Sequence, residues 1–386
     1  MTETSTDLRA DSSDTLAAST QRLVAEILAK ADIRINGDRP WDLRVKCANL
    51  YEKVLSSGNL GLGESYMDGD WEVEHLDEFF HRVLRADLEK EFKPLRLLPH
   101  ILKAKLLNRQ TTKRAWQVGE QHYDLGNDFY RAMLDPRMTY TCAYWQDADN
   151  LAQAQEAKLD LICRKLDLKP GMRVLDIGCG WGSFMGYAAE KYAVECVGVT
   201  ISKEQCAFGR EKYSHLPVEF RLQDYRILNE PFDHIVSVGM FEHVGHKNYR
   251  AYMEVAHRCL KKDGLFLLHT IGKNHRKSGV DPWIDKYIFP NGELPSVGQI
   301  GDSLDHLFVV EDLHNFGTDY DKTLMAWHRN FEAAWPQFKD TLGDRFYRMW
   351  RYYLLSCAGA FRARNTQLWQ WVLSKRGLAG GYQRVL

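Results

Sequence analysis

The sequence predicts an α/β fold, a doubly wound sheet of largely parallel strands, and three observations carry that expectation. The first is Arg173–Ile177, a short apolar, β-branched run followed by glycines at 178, 180 and 182. From Ser183 onward Phe184, Tyr187, Ala188 and Tyr192 recur at helical spacing, so the run reads strand, glycine turn, helix. The second is an alternation that begins near Leu151. Strands are expected at Glu195–Val199, Val218–Leu222, His234–Val238, Leu265–Thr270 and Phe308–Leu313, with helical runs between most of them. The third is the end of the chain. Trp369–Ser374 reads as a final antiparallel strand, preceded by two long aromatic-rich helices, Tyr320–Phe338 and Arg345–Phe361. These helices exceed what such a sheet needs and predict a cap over its carboxyl edge, where ligands bind in open α/β folds.

Composition narrows the class. At 386 residues the chain can bury one large domain and a smaller one. A formal net charge of -1 gives no global field for nucleic acid. The eight cysteines (47, 142, 163, 179, 196, 206, 259 and 357) form no C-x-x-C pair and sit mostly in apolar runs. They read as reduced thiols with no zinc or other metal site. Met1–Thr20 has no apolar core of a signal peptide, and no stretch reaches the length of a membrane span. The expectation is a cytoplasmic protein, at most peripheral to the inner face of a membrane.

Residues 1–20, rich in Ser, Thr, Asp and Ala, predict a disordered tail. Residues 21–92 predict a small, largely helical N-terminal domain. Leu23, Val24, Ile27 and Leu28 share one helical face, and an extended Ile33–Ile35 leads into an Asn-Gly turn. Leu50, Val54 and Leu55 mark a second helix, with Gly58 placed to stop it. Gly61–Gly69, with three glycines, reads as a loop-rich link to a helix carrying Leu76, Phe79, Phe80, Val83 and Leu84. Residues 93–116 hold seven Lys/Arg and no acid, interleaved with leucines. Two readings stay open for this linker: an amphipathic stretch on anionic lipid, or a linker with a solvated basic face. Residues 117–386 carry the sheet.

The turns after three successive strands hold the candidate binding residues. Gly178, Gly180 and Gly182 let backbone approach a ligand where a Cβ would intrude. Asp176 can order that loop or accept from an amino or hydroxyl group. Thr200 and Gln205, after the second strand, can serve ribose hydroxyls, and Gln223 and Asp224, after the third, can meet a base, with Asp224 accepting from an adenine amino group. Each alone reads as a turn or cap residue; their joint placement favours a cofactor. The G-x-G-x-G spacing after Leu175-Asp176-Ile177 resembles motif I of the S-adenosylmethionine-dependent methyltransferases.

Further segments sharpen that resemblance: Glu64–Gly69, His122–Asp128, Tyr140–Trp145, Gly239–Gly245, Leu268–Gly272, Asp319–Asp321 and Cys357–Arg362. Together they resemble the bacterial cyclopropane-fatty-acyl-phospholipid synthases from about residue 21 to the C-terminus. The resemblance implies a Rossmann-like class I methyltransferase sheet, S-adenosylmethionine as cofactor, and methylene transfer to the cis double bond of a phospholipid acyl chain. It also implies a homodimer and peripheral contact with the bilayer. Tyr140 and Thr141 would touch the cofactor; Thr141 stands where the family is expected to carry Ser, and the hydroxyl is kept. Cys142, Glu242, His269 and Tyr320, with the Ile271 backbone, would hold a bicarbonate ion. An oxyanion needs donors, and Glu242 is tolerable beside one only because bicarbonate carries a proton of its own. Trp145, Phe241, Tyr320 and Trp327 offer aromatic faces for a carbocation-like centre or are simply core. Cys357 joins the catalytic candidates, although a thiol in an apolar helix is more often structural. Two alternatives stay open, a methyltransferase acting on another lipid or a small molecule, and a lipid-binding protein on a decayed methyltransferase fold.

Overall fold

A computed structural model describes residues 21–88, 125–277 and 279–386 of the chain. The tail over 1–20 and the basic stretch 93–116 lie outside the described residues.

The N-terminal part begins with α1 (residues 21–29), followed by β1 (Arg44–Val45), α2 (Asn49–Ser57), α3 (Asn59–Met67), β2 (Trp71–Glu72) and α4 (Leu76–Arg85). Gly58 ends α2 at φ 58°, as a glycine stop should. The Gly61–Gly69 stretch corrects the sequence reading: most of it is helix α3, not loop. Its glycines are there for close approach. A Cβ on Gly61 would stand 2.0 Å from the Lys53 carbonyl oxygen, and one on Gly63 would stand 2.3 Å from the Trp283 ring. Helix propensity yields to contacts that no larger residue permits.

After α5 (Asn127–Met133) and α6 (Leu151–Lys165) the sheet begins: β3 (Arg173–Ile177), α7 (Ser183–Tyr192), β4 (Glu195–Thr200), α8 (Lys203–Lys212), β5 (Val218–Leu222), β6 (His234–Val238), α9 (Tyr249–Cys259) and β7 (Leu265–Lys273). Then come α10 (Pro282–Tyr287), α11 (Val297–Leu304), β8 (Val309–Asn315), α12 (Thr318–Ala334), α13 (Lys339–Arg362) and β9 (Thr366–Ser374). The seven strands are ordered β5-β4-β3-β6-β7-β9-β8. All pairs from β5 to β7 are parallel, and β9 runs antiparallel to both of its neighbours. The expected sheet, including its antiparallel last strand, is the one observed.

Alternation along β3 explains the two layers. Leu175 and Ile177 pack into an apolar cluster with α9 and α11, while Val174 faces the cluster built by α6 and α7. Asp176 therefore falls on the α6 side of the sheet. Strand order reverses between β3 and β6, which opens the crevice beyond their carboxyl ends.

A third cluster joins the N-terminal helices to α12 and α13. Leu76 and Phe79 of α4 are buried there, each worth about 1.5–3 kcal/mol. Gly359 is the contact point, since a Cβ on it would lie 2.6 Å from the Asp77 carbonyl oxygen. Arg362 seals the junction with ion pairs to Asp321 at 3.0 Å and Asp77 at 2.7 Å. Two of the sequence segments, Asp319–Asp321 and Cys357–Arg362, are thus one structural unit. Among the described residues no helix is long and apolar enough to cross a membrane.

Candidate active site

The crevice holds a cavity lined by the turns after β3, β4, β5 and β6 and roofed by Met138–Thr141. Tyr140, Thr141, Asp176, Gly178, Gly180, Thr200, Gln205, Gln223 and Asp224 all line it. Gly178 and Gly180 hold φ of 86° and 55°, in the left-handed region that favours glycine. Gly182 departs from expectation. It caps α7 outside the cavity lining, and a Cβ there would sit 2.3 Å from the Phe220 ring, so it serves helix–sheet packing. Asn127 of the His122–Asp128 motif accepts from Trp181 Nε1 at 2.8 Å and fixes the glycine turn from outside.

The polar groups are arranged along the cavity. Thr200 donates to Gln205 at 3.2 Å, and both line the cavity. Asp224 is already engaged: it accepts from the Arg226 backbone N–H and pairs with the Arg226 guanidinium at 3.1 Å. Asp176 is buried, and its Oδ1 has no hydrogen-bond partner. Burial pushes its carboxyl up to about 7, offset in part by the Lys158 cation.

Beside the cavity lie the residues expected to hold an oxyanion. Glu242 follows β6, and its Oε1 accepts from the Ile271 N–H at 2.7 Å, leaving Oε2 buried without a partner. That bond spends the Ile271 N–H, a group expected to face the ion, on Glu242 itself. Burial pushes Glu242 up to about 7. His269 lies within β7; its Nδ1 meets Gln370 Nε2 at 3.2 Å and its Nε2 is buried and unpartnered. Burial, with the Lys158 and Lys165 cations, holds it well below the usual histidine range, so the ring is neutral. Tyr320, on the first turn of α12, is buried and electrostatically coupled to both Cys142 and Glu242. Burial and these charges push its phenol well up, so it remains a donor. Cys142 is buried with its thiol directed to the Ala143 carbonyl at 3.2 Å, and burial followed by Asp319 pushes it well up.

The cap fixes these groups. Thr323 of α12 accepts from the Ala143 N–H and from Trp145 Nε1, and Asp319 accepts from the Trp145 N–H. Tyr140 pairs hydroxyl to hydroxyl with Tyr353 of α13 at 3.0 Å. Among the aromatic candidates, Phe241 is core, stacked on Tyr249 at 4.3 Å, whereas Trp327 lies between Tyr140 and Tyr320. Cys357 lies on α13 near Tyr320 and Tyr353. Burial pushes it up to about 12, so it is a neutral thiol and a poor nucleophile.

The sequence reading missed Lys158. It is 1% exposed on α6, lines the cavity, and donates from Nζ to Thr141 Oγ1 at 3.0 Å.

With this geometry in place, the likenesses to known proteins align with it. The family model of mycolic acid cyclopropane synthetase matches residues 110–371. The cyclopropane-fatty-acyl-phospholipid synthase of Escherichia coli K12 is 58% identical over 367 residues, 93% of this chain and 94% of the relative. A solved cyclopropane synthase from Mycobacterium tuberculosis superposes with TM-score 0.64 at 34% identity, covering 67% of this chain and 98% of the other. A mycolic acid cyclopropane synthase solved with SAH and CTAB gives TM-score 0.63 at 37% identity, covering 67% and 98%. This chain belongs to the mycolic acid cyclopropane synthetase family.

Proposed function

We propose that this protein is a cyclopropane-fatty-acyl-phospholipid synthase. It transfers a methylene group from S-adenosylmethionine to the cis double bond of an unsaturated phospholipid acyl chain, with bound bicarbonate as the base. The observation that carries the reading is two buried, unpartnered atoms, Glu242 Oε2, in a group with Cys142 and Tyr320, and His269 Nε2, on the neighbouring strand β7. A buried polar atom without a partner costs about 1–3 kcal/mol, so two in one catalytic edge point to a polar occupant.

When bound, S-adenosylmethionine supplies an activated methyl group on a sulfonium. An alkene is a poor nucleophile, so the chain's first task is positioning, carried by the Met138–Thr141 roof and the cap helices. Trp327 and Tyr320 offer faces where positive charge develops on the acyl chain. Ring closure then requires loss of a proton from the transferred methyl. Tyr320 O–H and neutral His269 can donate to an oxyanion, the Cys142 thiol can do so only by leaving the Ala143 carbonyl, and Glu242 Oε2 can accept the proton that bicarbonate carries. These groups would hold bicarbonate as the base for that proton.

The N-terminal unit over 21–92 and the basic stretch 93–116 are proposed to serve bilayer docking and contact between two copies, leaving the chemistry to 117–386. Each basic residue near an anionic surface contributes about 1 kcal/mol. Lys103, Lys105 and Arg109 changed to Gln should weaken sedimentation with anionic vesicles at low salt; unchanged sedimentation would reduce that stretch to a linker.

The function is tested by lipid mass spectrometry of cells expressing the protein. Unsaturated acyl chains should become species heavier by one CH2 that resist hydrogenation. Lipids indistinguishable from those of cells without it would refute the reading.

A further inference from the structure

We propose that Lys158, seconded by the Thr141 hydroxyl, is the group that receives the α-carboxylate of S-adenosylmethionine. The inference rests on the cofactor reading of the cavity and names a binding residue within it.

The placement of Lys158 is unusual for a lysine. Its side chain leaves α6 beneath the sheet's carboxyl edge, is 1% exposed, and reaches the cavity wall. Its Nζ donates to Thr141 Oγ1 at 3.0 Å, and no carboxylate among the described residues makes a salt bridge with it. An ammonium taken out of water without a directly paired anion is costly, and burial lowers its pKa to about 8 although the Asp135 and Asp176 charges act against this from beyond salt-bridge distance. A residue so placed is best satisfied by an anion that arrives with the ligand.

Position along the cavity selects which anion. The described cationic side chains of the lining are Lys158 and Arg226. Arg226 sits at the β5 end and pairs with Asp224 at 3.1 Å. Lys158 sits instead by Thr141 and β3, where its charge acts on Asp135, Asp176, Cys142 and His269. The ligand portion nearest those groups is the amino-acid end, next to the methyl that is transferred. S-adenosylmethionine carries a sulfonium, an ammonium and one carboxylate. Lys158 repels the first two, so favourable pairing is possible only with the carboxylate. The unpartnered Asp176 Oδ1, on the same face of the sheet, is complementary and suits the ammonium.

Local structure holds the device in place. Gln155, one turn before Lys158 on α6, donates to the Thr139 and Thr141 carbonyls at 3.3 and 2.8 Å. It pins the strip that carries Thr141. Because Thr141 Oγ1 accepts from Lys158, its own O–H remains free to donate to the same carboxylate.

The test compares S-adenosylmethionine with its decarboxylated analogue by calorimetry on the full chain. Lys158→Met should weaken S-adenosylmethionine about 10- to 100-fold, the range for a hydrogen bond between charged groups, and the decarboxylated analogue little or not at all. Thr141→Val, which leaves the ammonium in place, should narrow the preference for the carboxylated ligand by less, and it supplies the same comparison if Lys158→Met does not fold. Equal losses for both ligands in either variant would overturn the inference and leave Lys158 as a brace for the Thr141 strip. If the parent binds neither ligand, the cofactor reading itself fails and takes this inference with it.

Discussion

The Ile271 N–H donates to Glu242 Oε1 at 2.7 Å, so one carboxylate oxygen is tethered to β7 while the other is left bare and buried. The tether from the Ile271 backbone, with the Thr270 side chain nearby, sets the orientation of Glu242. Glu242→Gln can keep the bond through its carbonyl oxygen but presents an NH2 where Oε2 stood. Ring formation should fall by about 10²–10³-fold, the scale of losing one oriented polar group in an active site, while cofactor affinity stays near the parent's. Calorimetry and turnover together check this. A parallel loss of cofactor binding would move Glu242 into the cofactor site.

The same carboxyl should leave a mark on stability. Its folded-state pKa, about 7, lies above the ordinary 4.5, so the folded state holds a proton that the unfolded chain releases. That contribution is fully present below pH 4.5 and is lost as pH rises through 7. Over this window the parent should lose up to about 3 kcal/mol relative to Glu242→Gln. Thermal melts of the two proteins at acid and alkaline pH measure it; a constant difference across that range would mean the carboxyl titrates normally.

The strands were legible because β3 to β7 are apolar, short and separated by clear turns, and the glycine turn marks the cavity in the sequence itself. Other features were not, for physical reasons. Gly61 and Gly63 carry the composition of a loop but sit in a helix, because contacts with Lys53 and Trp283 set the choice. Gly182 looked like its two neighbours and turned out to serve Phe220, a residue distant in sequence. Lys158 stands in a helical run whose pattern does not single it out. The structure shows Lys165, two turns on, also fully buried, so the two lysines share an inward stripe. The spent Ile271 N–H and the engaged Asp224 depend on backbone and side-chain geometry that no residue pattern encodes.

Glycine packing in α3 gives a prediction with an unusual sign. In an ordinary helix Gly→Ala stabilises by about 0.5–1 kcal/mol. Gly63→Ala should instead destabilise by about 1–3 kcal/mol, since its Cβ would overlap the buried Trp283 ring. A raised melting temperature would show that Trp283 can yield.

Bicarbonate should be required for turnover. Assays in buffer stripped of carbon dioxide should slow, and added bicarbonate should restore the rate. An enzyme indifferent to this treatment would make Glu242 or His269 the direct base.

In the proposed reaction a methyl group arrives and loses one of its hydrogens as the ring closes. Supplying S-adenosylmethionine with a fully deuterated methyl group tests it directly, with mass analysis of the lipid product. The expected product is a saturated ring whose added carbon has lost one deuterium in every turnover. A product that retains the whole trideuteromethyl group would contradict it and identify a simple methyltransferase.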